Sequence, residues 1–451
     1  MIPESMFIDR TEELAAMNKW YEEGKAEMIL MYGRRRAGKT RLLQEFMKGK
    51  PSLYFMADVS ASILEVFGKS LKDRFVRFST WDDFFDFLEI EAKEKRIVVA
   101  IDEFQYLCDA NRAWPTILQR RWESLKKTRI MLILCGSIVS SIYRIAMGYG
   151  SALYGRKTRE MEILPMGFID ARELLPSYSP EDAAYAYAIL GGVPRYLEEF
   201  DDGKNLYENI SDRILDKNAF LYREPINLFY EEFKKPTVYL SILSALAEGA
   251  KKFGELSDLA RVPTNKLPKY LSVLERVKIV ERRAPVTEKR ARTRNTRYEL
   301  SDNFMRFFFK FVYPERSTTE LGEKGPALER IKRELDSFAG RAFEKMSEQF
   351  LIKRKPVPFT RIGRWWDKSG EIDIVSLNEP GKSAAFFECK WRDVGEKEAL
   401  KILEGLKEKA KSVQWRSEKR KEKYGIIARR IDGKEKLRKR GWLAYDLEDF
   451  V

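Results

Sequence analysis

The 451-residue chain contains no histidine. That absence excludes Ser-His-Asp and Cys-His catalysis, histidine general bases and histidine metal sites. Any chemistry then rests on carboxylates, lysine, arginine and a hard cation such as Mg²⁺ or Mn²⁺. Cysteine is nearly as scarce. Cys108, Cys135 and Cys389 stand far apart, with neither zinc spacing nor a disulfide framework. Such usage suits a reducing compartment, so a cytoplasmic location is expected. No apolar run reaches the roughly 18 residues of a membrane span, and no signal peptide is visible. No membrane partner is expected.

Charge is abundant instead. Charged residues make up 34% of the chain and the formal net charge is +14. A balance this basic points to nucleic acid as a partner. The length exceeds what one core holds, so roughly two to four domains are expected.

The most informative stretch is Gly33-Arg34-Arg35-Arg36-Ala37-Gly38-Lys39-Thr40. It follows an apolar run, Met28 to Tyr32, that reads as a buried strand. It precedes Arg41 to Met47, which has helical apolar spacing. Strand, glycine loop and helix form the context of a phosphate-binding loop. Gly33 and Gly38 let backbone N–H groups face phosphate, and the helix N-terminus adds donors. Lys39 is expected to reach the β- and γ-phosphates of ATP, and Thr40 to offer its hydroxyl to Mg²⁺.

A second apolar run, Arg96 to Ile101, ends in Asp102-Glu103. Asp102 at a strand end can hold Mg²⁺ through water, and Glu103 can polarise the attacking water. A third run, Ile130 to Gly136, ends at Ser137, which is either a γ-phosphate sensor or ordinary turn chemistry. Strands and helices alternate to about residue 165, as in a parallel sheet with crossover helices. The aromatics Trp81, Phe84, Phe85 and Phe87 read as core. Beyond residue 166 the pattern is helical. Gly191-Gly192-Val193-Pro194 breaks one helix and opens another, leaving Arg195 near a helix start, either facing the nucleotide or solvated.

Residues 236 to 300 read as three helices and a strand pair, a winged helix-turn-helix pattern. The third helix is expected to start near Asn265 as its cap and to run to Val277. Between the strands, residues 281 to 297 hold seven basic residues, Arg282, Arg283, Lys289, Arg290, Arg292, Arg294 and Arg297, against two acidic ones. That charge falls where DNA phosphates would lie. The aromatic run Asn303 to Tyr313 reads as a core helix, followed by a linker over 314 to 326.

The C-terminal part carries a second set of chemical groups. Glu371 to Leu377 and Ala385 to Trp391 read as strands joined by a turn at 378 to 382. Alternation puts Glu388 and Lys390 on one face, and antiparallel pairing can bring Asp373 opposite Glu388. Asp373 and Glu388 can hold Mg²⁺ or Mn²⁺, with Lys390 positioning a water for phosphodiester attack. Glu344, one helix earlier, can add a carboxylate. Cys389 reads as core, and Trp365 and Trp366 either stack on a base or pack.

Phe7 to Leu14, the Gly33–Thr40 loop, Ile101-Asp102-Glu103-Phe104, Cys135-Gly136-Ser137, Leu153-Tyr154-Gly155-Arg156 and Gly191 to Arg195 together resemble the archaeal ATPases of the ASCE P-loop class. These are related to the AAA+ and STAND ATPases. The resemblance implies a winged helix-turn-helix after the ATPase and a C-terminal domain similar to PD-(D/E)XK nucleases. The nuclease similarity rests on Glu344, Asp373, Glu388 and Lys390, with Ile372-Asp373 in place of the literal Pro-Asp. It also implies that Asp102 and Glu103 are the Walker B pair, that Ser137 is a sensor and that Arg10 lies near the nucleotide. Arg156 or Arg195 would approach the γ-phosphate, one of them from a neighbouring copy in a homo-oligomer.

The expected fold class is α/β, with a P-loop parallel sheet at 1–165, a helical lid at 166–235, a winged-helix domain at 236–313 and a C-terminal α/β domain at 327–451. The expected function is ATP hydrolysis and metal-dependent DNA cleavage. The alternative is a STAND-like switch or scaffold that binds without cleaving.

Overall fold

The computed structural model describes residues 7–60, 62–71, 76–148, 150–233, 235–288 and 295–450. The chain divides into two compact units. One comprises Pro3–Pro165 and Tyr230–Lys234, the other Met166–Phe229 and Lys235–Val451.

The first unit is built on a five-stranded parallel sheet of β1 (Glu27–Tyr32), β2 (Ser52–Met56), β3 (Ile97–Asp102), β4 (Ile130–Gly136) and β5 (Arg159–Glu162), in the order β2-β3-β4-β1-β5. β3 and β4 are buried along their whole length. Their unbroken apolar sequences suit strands covered on both faces. The residues split between two cores by alternation. Ile29, Met31, Val98, Ala100, Met131 and Ile133 pack with α1 (Thr11–Glu22) and α2 (Lys39–Met47). Met28, Leu30, Val99, Ile101 and Leu132 pack with α3 (Trp81–Glu94) and α4 (Trp114–Leu125). Phe84 and Phe85 are fully buried and Trp81 packs edge-on to Phe84, so these aromatics are core as expected.

The second unit opens with helices, among them α5 (Pro180–Leu190) and most of α6 (Phe220–Glu232), whose last residues from Tyr230 belong to the first unit. Gly191 ends α5 at φ 69°, and Pro194 starts the next short helix. At Gly192 a Cβ would lie 1.8 Å from the Met166 carbonyl oxygen, so no larger residue fits. Then come α7 (Pro236–Ala247), α8 (Phe253–Leu259) and α9 (Leu267–Arg276), followed by the antiparallel pair β6 (Val280–Arg283) and β7 (Arg297–Leu300). α9 starts two residues later than Asn265. The amides of Lys266 and Leu267 bond to the Pro263 carbonyl, so a turn occupies the expected cap.

Asp302 caps the aromatic helix through the Met305 amide, and the helix widens to π geometry over Phe308–Val312. The stretch expected as a linker instead contains a short helix at Arg316–Glu320 and the start of α10 (Gly325–Arg354). Pro326 sits in the first turn of α10, where its missing N–H costs nothing. The unit ends in a mixed five-stranded sheet of β8 (Arg361–Trp366), β9 (Glu371–Asn378), β10 (Ser383–Val394), β11 (Lys421–Ile431) and β12 (Leu443–Asp446). β8, β9 and β10 pair antiparallel, while β10, β11 and β12 pair parallel, joined first by α11 (Glu396–Ala410) and then by a short helix at Lys434–Lys439. Among the described residues no helix is long and apolar enough to cross a membrane.

Candidate functional site

In the first unit, parallel register aligns Tyr32 with Gly136 and Ile101 with Leu134. The C-terminal ends of β1, β3 and β4 therefore deliver Gly33, Asp102 and Ser137 to one edge of the sheet, the edge where open α/β sheets bind ligands. At Gly33 a Cβ would meet the Ile163 carbonyl oxygen at 2.2 Å. Gly38 caps α2 at φ 91° and Arg36 takes φ 66°. The loop thus curls back on itself as a phosphate cradle must. Arg10 braces it by donating to the Ala37 carbonyl at 3.1 Å and the Leu164 carbonyl at 2.6 Å. Arg34 is buried, whereas Arg41 is half-buried on the first turn of α2.

Lys39 is buried and donates to the carbonyls of Gly33 at 2.9 Å and Arg34 at 2.8 Å. Burial pulls its pKa down, against the opposing pull of Cys135, Glu103 and Asp102. Thr40 Oγ1 donates to Asp102 Oδ2 at 2.7 Å, and the Tyr54 hydroxyl donates to the same oxygen at 2.9 Å. Glu103 takes a left-handed backbone, φ 54°, a conformation uncommon outside glycine. Its Oε2 accepts from the Ser137 hydroxyl at 2.6 Å, the Ser137 amide at 3.2 Å and the Gln105 side chain. Arg35 donates to the Tyr106 hydroxyl at 2.6 Å and to Ser137 Oγ at 3.4 Å, and forms an ion pair with Glu231 at 2.6 Å.

Two further arginines, Arg156 and Arg195, are expected to approach the γ-phosphate. Arg156 is half-buried in the turn after Gly155, which has φ 75°. Arg195 belongs to the other unit, where it pairs with Glu199 at 2.6 Å and Glu198 at 3.7 Å and lies over the Phe220 ring.

In the second unit β9 and β10 pair from Asn378–Ser383 to Ile374–Phe387 and then part. Asp373 and Glu388 follow directly in that register. Asp373 Oδ2 accepts the Cys389 amide at 2.8 Å. Burial, with Glu388 and Glu344 nearby, pushes the Asp373 pKa up to about 7. Glu388 is ion-paired with Lys390 at 2.9 Å and with Lys409 of α11 at 3.2 Å. Glu344 of α10 pairs with Arg364 at 3.3 Å. Each carboxylate therefore already has a cation or an amide. Among the described residues no three His, Cys, Asp or Glu side chains form a ready metal centre. Cys389 is buried, as are Trp365 and Trp366, which rules out base stacking by these tryptophans in this conformation.

The β6–β7 hairpin is docked against this sheet. The Val286 amide donates to the Arg364 carbonyl at 2.9 Å, and Arg361 donates back to the Val286 carbonyl at 3.0 Å. Trp366 Nε1 donates to the Asn295 carbonyl at 3.1 Å, and Arg297 stacks over the Trp366 ring. Arg283 pairs with Glu281 and Glu348, Arg297 with Glu371, and Arg282 lies 4.0 Å from Glu275. Three of the seven basic residues read as phosphate contacts are thus neutralised within the chain. Lys289, Arg290, Arg292 and Arg294 lie outside the described residues. A charged cavity, lined among others by Glu299, Arg341, Glu344, Arg364 and Asp373, lies among the hairpin, α10 and the sheet.

Residues 7–57 and 54–200 match the model of an ATPase domain predominantly from Archaea. Residues 308–402 match a second family, described as archaea bacterial proteins of unknown function. The chain is similar to the uncharacterized protein MJECL04 of Methanocaldococcus jannaschii, 33% identical over 463 residues, covering 99% of this chain and 100% of that one. The chain belongs to the same family, one of archaeal P-loop ATPases. Among solved structures, the Walker-type ATPase of Pyrococcus abyssi is similar with a TM-score of 0.51 at 21% identity, over 67% of this chain and 96% of that one. That likeness is one of fold.

Several groups around the sites of this ATPase escaped sequence reasoning. Tyr54 sits in β2 and reaches Asp102 only because β2 pairs with β3. Glu231 lies nearly two hundred residues beyond the loop it approaches, and Glu232 lies 93 residues beyond Val139. Glu232 accepts from the Val139 amide at 3.2 Å and the Ser140 hydroxyl at 2.9 Å. Lys409 reads in sequence as one more solvated helix lysine. None of these carries a local signal.

Proposed function

We propose that this ATPase acts on DNA, with Mg²⁺-dependent ATP hydrolysis in residues 1–165 governing a metal-dependent endonuclease-like domain at 327–451. Residues 166–235 serve as a helical lid and 236–313 as a winged helix-turn-helix. The observation that carries the hydrolytic part is the meeting of Thr40 and Asp102 at 2.7 Å beside buried Lys39. A hydroxyl and a carboxylate suit a hard divalent ion, and the lysine's present partners are carbonyls that a phosphate can replace. Mg²⁺ bound there supplies charge neutralisation on the phosphates. Lys39 and the loop amides of residues 33 to 40 hold the phosphate oxygens, Glu103 orients and polarises the attacking water, and Ser137 fixes the Glu103 carboxylate. Arg10 acts by bracing the loop. Arg156 or Arg195, one of them supplied by a neighbouring copy, is a further cation for the phosphates.

The DNA-cleaving part is supported by Asp373 and Glu388, which follow the last paired residues of β9 and β10, with Lys390 and Glu344 near them. Carboxylate oxygens suit Mg²⁺ or Mn²⁺, but Glu344 and Glu388 must first exchange their present cations. The test is cleavage of duplex, single-stranded, forked and four-way DNA with Mg²⁺ or Mn²⁺, with and without ATP. Asp373→Ala should abolish cleavage, and Lys39→Ala should abolish ATP hydrolysis and any response of cleavage to ATP.

A second reading has its own support. The three paired arginines of the hairpin, Arg282, Arg283 and Arg297, and the engaged carboxylates suit a switch or scaffold that binds DNA or protein without cutting. DNA binding with no cleavage under any of these conditions would favour it.

A further inference from the structure

Arg35 reaches out of the loop to three side chains, Tyr106, Ser137 and Glu231. It reaches Ser137, whose hydroxyl is held by Glu103 at 2.6 Å, so its guanidinium lies one hydroxyl away from the proposed catalytic carboxylate. Its ion-pair partner, Glu231, comes from the last turn of α6 and is fixed in place by its neighbour. Glu232 accepts from the Val139 and Ser140 amides and the Ser140 hydroxyl, which pins this turn to the end of β4. Glu232 is the anchor and Glu231 is the exchangeable group. The Arg35 and Glu231 side chains are 28% and 41% exposed, so their attraction is well screened. A guanidinium exchanges a single carboxylate readily for a terminal phosphate, which carries more charge and more acceptor oxygens.

We propose that Arg35 binds the terminal phosphate of ATP from within the same chain, and that Glu231 is the counter-carboxylate that ATP displaces and ADP does not. The pair then sets the preference for triphosphate over diphosphate. Glu231 is a positioning residue: it touches no nucleotide, and it competes for the cation that does. The inference rests on the assignment of the Gly33–Thr40 loop as the nucleotide site.

The test is equilibrium titration of the full chain with fluorescent ATP and ADP analogues, the ATP analogue being non-hydrolysable. Glu231→Gln should tighten the triphosphate by about twofold to fivefold, the scale of a screened ion pair, and leave the diphosphate unchanged. Arg35→Ala should weaken the triphosphate by about tenfold or more, the scale of a charge-assisted hydrogen bond, again sparing the diphosphate. Arg35→Lys should fall between Arg35→Ala and the unsubstituted chain. Equal shifts for both nucleotides, or no shift in either variant, would overturn the inference while leaving the site intact. No binding of either nucleotide by the unsubstituted chain would overturn the site as well.

Discussion

Arg341 on α10 and Glu299 on β7 form an ion pair at 2.6 Å that fastens the hairpin to the long helix of the C-terminal domain. Burial opposes the charge on Glu299, but Arg341, Arg364 and Arg283 outweigh it and hold its pKa down at about 2. A carboxyl depressed in the folded state stabilises the fold above its unfolded pKa, near 4.3, and loses that contribution as pH falls toward 2. Glu299→Gln should therefore cost on the order of 3 kcal/mol at pH 7, where it leaves partly buried arginines short of a counter-charge, and much less near pH 3. Urea unfolding of both chains at the two pH values checks this.

The docking of the hairpin on β8 can be trapped. A Cβ on Gly363 would lie 3.8 Å from the Val286 Cβ, within the range of a disulfide. Val286→Cys with Gly363→Cys should close under mild oxidant and stabilise the chain by about 2–4 kcal/mol. Thiol titration and melting with and without reductant read this out, since Cys108, Cys135 and Cys389 are buried. If DNA cleavage needs the hairpin released, the oxidised form should also lose it.

Tyr54 donates to the Asp102 oxygen that also accepts from Thr40. Tyr54→Phe leaves the fold but loosens that carboxylate, which keeps its bonds from Thr40 and the Glu103 amide. The Mg²⁺ concentration for half-maximal ATP hydrolysis should rise by about tenfold, the usual effect of losing a partner behind a metal ligand. Metal titrations of activity at saturating ATP distinguish this from a loss of kcat.

Glu103→Gln keeps the shape of the side chain and removes its charge. Hydrolysis should fall by about a hundredfold or more while ATP affinity holds, as the proposed role of Glu103 in activating water requires. Ser137→Ala should fall less, because it releases the carboxylate without removing it. Turnover and nucleotide affinity measured on the same preparations separate the two effects.

The parts of this protein legible in its sequence are those in which neighbours along the chain do the work. The apolar runs of β1, β3 and β4, the glycine loop opening α2 and the Gly-Gly-Val-Pro break after α5 each carry a local pattern, and each element forms where that pattern lies. Capping and linker details were less legible. The turn at Pro263 displaced the expected cap at Asn265, and the expected linker hid a short helix and the start of α10.

Composition and spacing by themselves determined that no histidine chemistry exists here, that a phosphate loop follows the first strand, and that acidic groups end the third. Only the tertiary structure decided what those groups touch. It brought Tyr54 to Asp102 and Glu231 to Arg35, and turned Arg282, Arg283 and Arg297 inward to carboxylates. The reason is physical. Periodicity records which face of an element is buried, whereas an ion pair between residues a hundred positions apart depends on strand order and docking, and leaves no trace in the spacing of either.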